Sequence, residues 1–184
     1  MDDNAKFSVE GVAAGVRADG RGLLDYRACV CSEDTLLHAN GSATVTLGGL
    51  GKGSTTRCLG VVKAEVGRCA GVGEGGAVVG SVTLAMFRGG VRERQEREAF
   101  LSESLCRVLS SSPAFLERLV IPGSRGEFCW VLHVDVTVLE LGGSVLDAAS
   151  FAAHAALRSC VLPRVRAVEA EAGKLQLELV QDGE

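Results

Sequence analysis

The residues able to do chemistry in this 184-residue chain fall into a few small groups. His133 and Asp135 stand two apart, so on an extended backbone they share one face. Two readings follow, an acid–base pair or two structural hydrogen-bonding groups, and the second is adopted. Arg88, Arg92, Arg94 and Arg97 gather at the start of a helical stretch, where guanidinium groups could hold phosphate in a bidentate way. Glu93, Glu96 and Glu98 are interleaved with them, so an ion-paired, solvated face competes with a phosphate-contacting one. Arg158, Arg164 and Arg166 form a second small basic cluster. His154 falls on an alanine-rich helical stretch and reads as a packing or interface residue.

Seven cysteines sit at 29, 31, 58, 69, 106, 129 and 160, with no Cys-x-x-Cys pair among them. An odd count without paired spacing argues against a disulfide framework and against a zinc site. Buried free thiols in a reducing compartment are expected. Two glycine-rich runs invite comparison with phosphate loops. In Gly48-Gly-Leu-Gly-Lys-Gly-Ser54 the lysine is followed by glycine, and no glycine stands five residues before Gly51. Gly71-Val-Gly-Glu-Gly-Gly76 has the dinucleotide spacing, but a strand-like run follows it where a helix is required, so it reads as a hairpin loop. There is no nucleophile elbow and no pair of carboxylates at a metal-binding or glycosidase spacing. No residue is therefore assigned as catalytic or as a metal ligand, and no cofactor is expected.

The elements that must position these groups are organised around Cys129–Leu157. Trp130, Leu132, Val134, Val136 and Val138 alternate as one face of a long buried strand. Gly142 and Gly143 make a turn, where glycine tolerates a left-handed backbone. Ser144 and Asp147 have the spacing of a capping box, and the helix after them carries alanines at 148, 149, 152, 153, 155 and 156. Small side chains there allow close packing on a sheet. Pro163 is expected to stop that helix. Strands are predicted over Tyr26–Cys31, Gly41–Leu47, Arg57–Val66, Ala77–Phe87 and Lys174–Val180. An amphipathic helix is predicted over Glu93–Ser110, with Glu93–Arg97 and Glu103–Arg107 as i,i+4 pairs. Residues 1–24 read as a lead-in, with Arg17–Gly22 a surface turn tied by Asp19–Arg salt bridges and Val9–Val16 too glycine-broken for an element. Residues 25–184 read as one domain, without a fixed-period repeat or interdomain linker.

Composition sets the class. Apolar residues make up 47% and aromatics only 4%, so the core must be built from Val, Leu and Ala. That favours an α/β chain of the α+β type, a mixed sheet with closely packed helices. The net charge of −4 argues against strong autonomous binding of RNA or DNA. No signal peptide and no apolar run of membrane-spanning length is visible, so a soluble intracellular protein is expected.

Several short motifs occur in a fixed order along the chain. Arg17-Ala-Asp-Gly-Arg-Gly22 with Asp25-Tyr-Arg27, Asn40-Gly-Ser-Ala-Thr-Val45, Val62-Lys-Ala-Glu-Val-Gly67, Cys129–Asp135, Gly142-Gly143, Asp147–Leu157 and Pro163-Arg-Val-Arg166 resemble the RNase PH family, over nearly the whole chain. The resemblance implies a βαβ-rich RNase PH-like fold and a place in the hexameric ring of the RNA exosome. It implies other RNase PH-like ring subunits as partners, above all a neighbour of the 41 type, together with cap subunits, an associated nuclease and RNA. It implies residence in nucleus, nucleolus and cytoplasm. Active members are phosphorolytic 3′→5′ exoribonucleases that place Thr-Arg directly after the Gly-Gly turn, where the arginine holds phosphate. Here Ser144 and Val145 follow Gly143. Active members also carry acidic catalytic residues in a second half of the domain, and the fold expected here is incomplete at its C-terminus. The expectation is a non-catalytic structural ring subunit supporting RNA processing and degradation, with Arg92, Arg94 and Arg97 as RNA contacts. An active phosphorolytic exoribonuclease is the alternative.

Overall fold

A computed structural model of the chain describes residues 3–15, 17, 21–48, 55–69, 75–169 and 174–180. The elements run α1 (Asp3–Ala13), β1 (Cys29–Glu33), β2 (Gly41–Leu47), β3 (Thr56–Arg68), β4 (Ala77–Leu84), α2 (Val91–Leu109), α3 (Pro113–Glu117), β5 (Phe128–Glu140), α4 (Val145–Arg158), β6 (Val165–Glu169) and β7 (Leu175–Leu179). Five strands form one sheet in the order β1-β2-β3-β5-β4, and β6 and β7 pair separately. Neighbours in the large sheet are antiparallel except β4 and β5, which are parallel and joined through α2 and α3. The result is the mixed sheet with packed helices expected from the low aromatic content. The Asp19 turn, Gly49–Ser54 and Gly71–Glu74 lie outside the described residues.

Alternation along β5 builds the core. Leu132, Val134, Val136 and Val138 are each at most 2% exposed, while His133, Asp135 and Thr137 take the other face. Helix α4 covers the apolar face with its six alanines, all buried. Their small size lets the helix backbone approach the strands. A Cβ built on Gly60, in the middle of β3, would lie 2.5 Å from the Ala152 carbonyl oxygen. One built on Gly41 would overlap the Ala156 carbonyl and come 2.6 Å from Cys160 Cα. Both glycines serve close approach and not a turn.

Helix α2 is held to β4 by side chains as well as by burial of Leu101 and Leu105. The β4 amides of Leu84, Val82 and Gly80 donate to Glu98 Oε1 (2.8 Å), Ser102 Oγ (2.9 Å) and Cys106 Sγ (3.1 Å). Steps of two along a strand thus meet steps of four along a helix, since both advance by about 6 Å. These acceptors cover the outer edge of β4, which pairs on its other side with β5.

Several expectations change. Residues 3–13 are helical, despite the glycine at position 11. Strand β1 begins at Cys29, later than Tyr26, because its pairing with β2 starts at Cys29↔Leu47. Strand β6 was hidden by its arginines. Arg166 there faces Glu178 of β7 at 3.7 Å, so a charge-rich stretch still alternates as an edge ribbon. Helix α4 ends at Arg158, five residues before Pro163, with the Ser159 amide bonded to Ala155 O. The cysteines are only partly buried: Cys58 and Cys129 are inside, but Cys29 and Cys31 are exposed, because every residue of edge strand β1 is exposed.

Two outcomes follow. Gly60→Ala is expected to destabilise the chain by about 2–4 kcal/mol in urea denaturation, because backbone must move. Gly48→Ala is expected within about 0.5 kcal/mol of wild type, since its Cβ would meet nothing closer than 3.8 Å. Separately, burial pushes the Cys58 thiol from 9.0 up to about 12. The folded state therefore keeps a proton that the unfolded chain releases, so this stabilising contribution is complete below pH 9.0 and is lost as pH rises through about 12. Between pH 9 and 11, about that window, the urea midpoint should fall more steeply for wild type than for Cys58→Val.

Candidate functional site

Strand β5 leaves the sheet at Glu140, and Leu141-Gly-Gly-Ser144 turns the chain into α4. Gly143 has φ 96° and Ser144 has φ 51°. The left-handed backbone at Ser144 removes the expected capping box. A box needs an extended N-cap so that the hydroxyl faces the third helical amide, and here Ser144 makes no side-chain cap bond. The helix starts through Ala148 N–H donating to Ser144 O at 3.1 Å.

The turn is held from the sheet and from the segment before β1. The buried Thr56 hydroxyl donates to Gly143 O (2.5 Å) and accepts from Gly142 N–H (2.9 Å). Arg27 Nη1 donates to Gly142 O (3.1 Å) and Gly143 O (3.2 Å). A Cβ on Gly143 would sit 3.3 Å from the Arg27 guanidinium. The cation nearest the turn is therefore engaged with backbone carbonyls.

Clefts open on both sides of this turn. One, of about 530 Å³, is lined by Arg17, Arg21, Tyr26, Arg27, Ser144 and Phe151 among others. The second, of about 590 Å³, is lined by residues including Glu93, Glu96, Arg97, Phe100, Leu141 and Val145. A third, of about 810 Å³, brings Met86, Phe87 and Arg88 together with Arg97 and Glu140.

Of the three arginines expected to contact RNA, Arg97 alone lines these clefts. It stacks over the Phe87 ring at 5.2 Å and pairs with Glu93 at 2.9 Å. Arg92 pairs with Glu96 at 2.9 Å on a solvated part of the helix, and Arg94 approaches Glu98 at 3.8 Å. Each arginine thus has a carboxylate of its own helix beside it, in i,i+4 spacing. Glu98 is not a solvated residue, since it also receives the Leu84 amide. The pair Glu103–Arg107 forms as expected, at 2.8 Å.

The structure keeps His133 and Asp135 apart. His133 Nε2 meets Glu65 Oε1 at 2.9 Å, and Ser81 O–H donates to Asp135 Oδ1 at 2.6 Å. Both are cross-strand structural bonds. His154 is exposed on α4. Among the described residues, no group of three or more His, Cys, Asp or Glu could hold a metal ion, and no helix is long and apolar enough to cross a membrane.

Arg27 and Thr56 are residues of the candidate site that the sequence did not single out. Arg27 was visible only as part of the Asp25-Tyr-Arg27 motif. Thr56 carries no local signal, because its partners lie 86 and 87 residues away.

A parallel β4–β5 pair crossed by α2, with a glycine turn leading into an alanine helix, defines a class, and comparison with known proteins agrees with it. The chain belongs to the RNase PH family: the family described as 3′ exoribonuclease family, domain 1, matches residues 25–163. It is 33% identical, over 92% of its length, to the protein named exosome complex component Rrp42 of Thermococcus kodakarensis, and spans 61% of that protein. It is 35% identical, over 78% of its length, to the protein of the same name from Saccharolobus solfataricus, and spans 51% of it. A solved chain described as archaeal exosome core superposes with a TM-score of 0.70 at 27% identity, covering 97% of this chain and 65% of the solved one. The chain therefore spans about half to three-fifths of the length of these two curated relatives.

Thr56→Val removes both side-chain bonds and leaves Gly142 N–H without its acceptor. We expect a loss of about 2–3 kcal/mol in denaturant unfolding, against about 1 kcal/mol for Arg27→Ala, after which Gly143 O keeps its bond from Thr56.

Proposed function

We propose that this chain is a non-catalytic structural subunit of an RNA exosome ring, supporting 3′→5′ processing and degradation of RNA and contributing RNA contacts. The observation that carries this reading is the Gly142–Val145 turn. Active family members are expected to present Thr-Arg directly after the glycines. Here Ser144 and Val145 occupy those positions, and the nearby Arg27 is spent on the Gly142 and Gly143 carbonyls. The names of the archaeal relatives support the ring assignment.

The proposed partners are other RNase PH-like ring subunits, with a 41-type neighbour first, then cap subunits and an associated nuclease. Exposed apolar side chains are consistent with burial in an assembly: Leu24, Tyr26 and Leu37 are each more than 90% exposed. Arg92, Arg94 and Arg97 remain the proposed RNA contacts, with Arg97 best placed because it lines two clefts. Nucleus, nucleolus and cytoplasm are the proposed locations.

Co-expression with a 41-type subunit followed by native mass spectrometry should yield a stoichiometric hetero-oligomer. In the assembled complex, Arg94→Glu with Arg97→Glu should lower RNA crosslinking to this chain by about tenfold through lost phosphate contacts, with the native mass unchanged. Undiminished crosslinking would remove the arginines from the RNA path. Phosphate-dependent release of nucleoside diphosphates by the purified chain would overturn the non-catalytic reading.

A further inference from the structure

The large sheet has two edges, and its own helix closes only one of them. Along β4 the amides of Gly80, Val82 and Leu84 are taken by side chains of α2. Strand β1 forms the other edge, and among the described residues no strand pairs with its free side. Its bonds to β2 decide which of its backbone groups are free. Gly48 N–H donates to Ala28 O at 2.8 Å, and Asp34 N–H donates to Ser42 O at 2.7 Å. Bonded and non-bonded pairs alternate along an antiparallel ladder, so the even-numbered residues from Ala28 to Asp34 bond toward β2. The N–H and C=O groups of Cys29, Cys31 and Glu33 therefore point away from β2, along the open edge.

Proteins commonly protect such an edge with lysine, proline, a bulge or a covering helix. Strand β1 carries no lysine or proline, its register against β2 is unbroken, and all five of its residues are exposed. Its central Val30 is 63% exposed. Exposed apolar side chains flank both ends, Leu24 and Tyr26 before the strand and Leu36 and Leu37 after it. Glu33, the one charge on the strand, has no ion-pair partner among the described residues. Arg27 donates to the Gly142 and Gly143 carbonyls, which are neutral and leave its charge uncompensated.

We propose that β1 is a self-association surface, on which β1 of a second copy of this chain adds as an antiparallel strand across a twofold axis at Val30. Such an axis makes the contact isologous, so each interaction occurs twice. Val30 then faces Val30 of the second copy in a close, non-bonded pair. Cys29 and Cys31 exchange backbone hydrogen bonds with Cys31 and Cys29 of the second copy. Glu33 comes opposite Arg27 of the second copy, which matches two uncompensated charges. The Leu24–Tyr26 end of one strand meets the Leu36–Leu37 end of the other. An axis at Cys31 sets Ser32 against Val30 and Glu33 against Cys29, and an axis at Cys29 sets Glu33 against Asp25, so both lose this match. The pairing makes one sheet continuous through both copies. It needs only this chain and stands apart from the ring assignment.

The test uses the full chain. Sedimentation velocity and native mass spectrometry at high micromolar concentration should show a homodimer in exchange with monomer. Cys31→Pro removes two bonds between the copies and none within the monomer, so dimerisation should weaken by about tenfold, with native circular dichroism retained. Glu33→Arg, which sets like charges opposite each other, should weaken it too. In a Cys29→Ser/Cys31→Ser background, Val30→Cys should oxidise to a homodimer whose linked peptides carry residue 30 from both copies, and Ser32→Cys should not. A chain that stays monomeric at that concentration would overturn the proposal. So would a dimer that Cys31→Pro leaves unweakened, or slowed amide exchange along β1 that requires a 41-type subunit, since the ring neighbour is then the occupant.

Discussion

Helix α4 lies on the sheet almost backbone to backbone, and the rest of the molecule depends on that approach. It is possible because two strand positions, Gly41 and Gly60, have no side chain where the helix carbonyls of Ala156 and Ala152 come down. Alanines fill the rest of the contact and are fully or nearly fully buried. An interface of this kind gains from dispersion at close range more than from large apolar side chains, which suits a chain with so few aromatics. It also fixes where α4 must begin, and so fixes the glycine turn that joins it to β5.

The turn between β5 and α4 is gripped as tightly as the helix it starts. Thr56 and Arg27 hold the Gly142 and Gly143 peptide groups from two sides. That clamp positions α4 on the sheet. It also commits the nearest guanidinium to neutral carbonyls. The arginines of α2 are committed in a similar way, each to a glutamate one turn along. With a carboxylate beside each of Arg92, Arg94 and Arg97, this part of the helix surface carries little net positive charge.

The two edges of the large sheet are treated differently. Three α2 side chains accept amides along β4, so that edge is closed by the protein's own helix. Strand β1, at the opposite edge, has all five residues exposed, and the chain just before it carries Leu24 and Tyr26 in the open. Glu98 illustrates why such roles escape a linear reading. Among arginines it looks like a surface counter-charge, yet its carboxylate is mostly occupied with a strand amide 14 residues earlier.

Local pattern was enough to place most of the strands and both long helices, though not β6, because period-two and period-3.6 burial leave a direct trace in side-chain type. Strand β2 falls on the predicted residues, and β5 buries the predicted face. The Gly-Gly-Ser-Val stretch needs no structure to be read, since it is a matter of residue identity. The capping box was misread, because spacing alone does not reveal that Ser144 is left-handed. The sequence also could not reveal what depends on distant residues meeting: the Thr56 and Arg27 clamp, the separate partners of His133 and Asp135, and the seat of Glu98 on β4. Each joins groups far apart in the chain, and only the register of β3 against β5 and the close seating of the helices decide which of them touch.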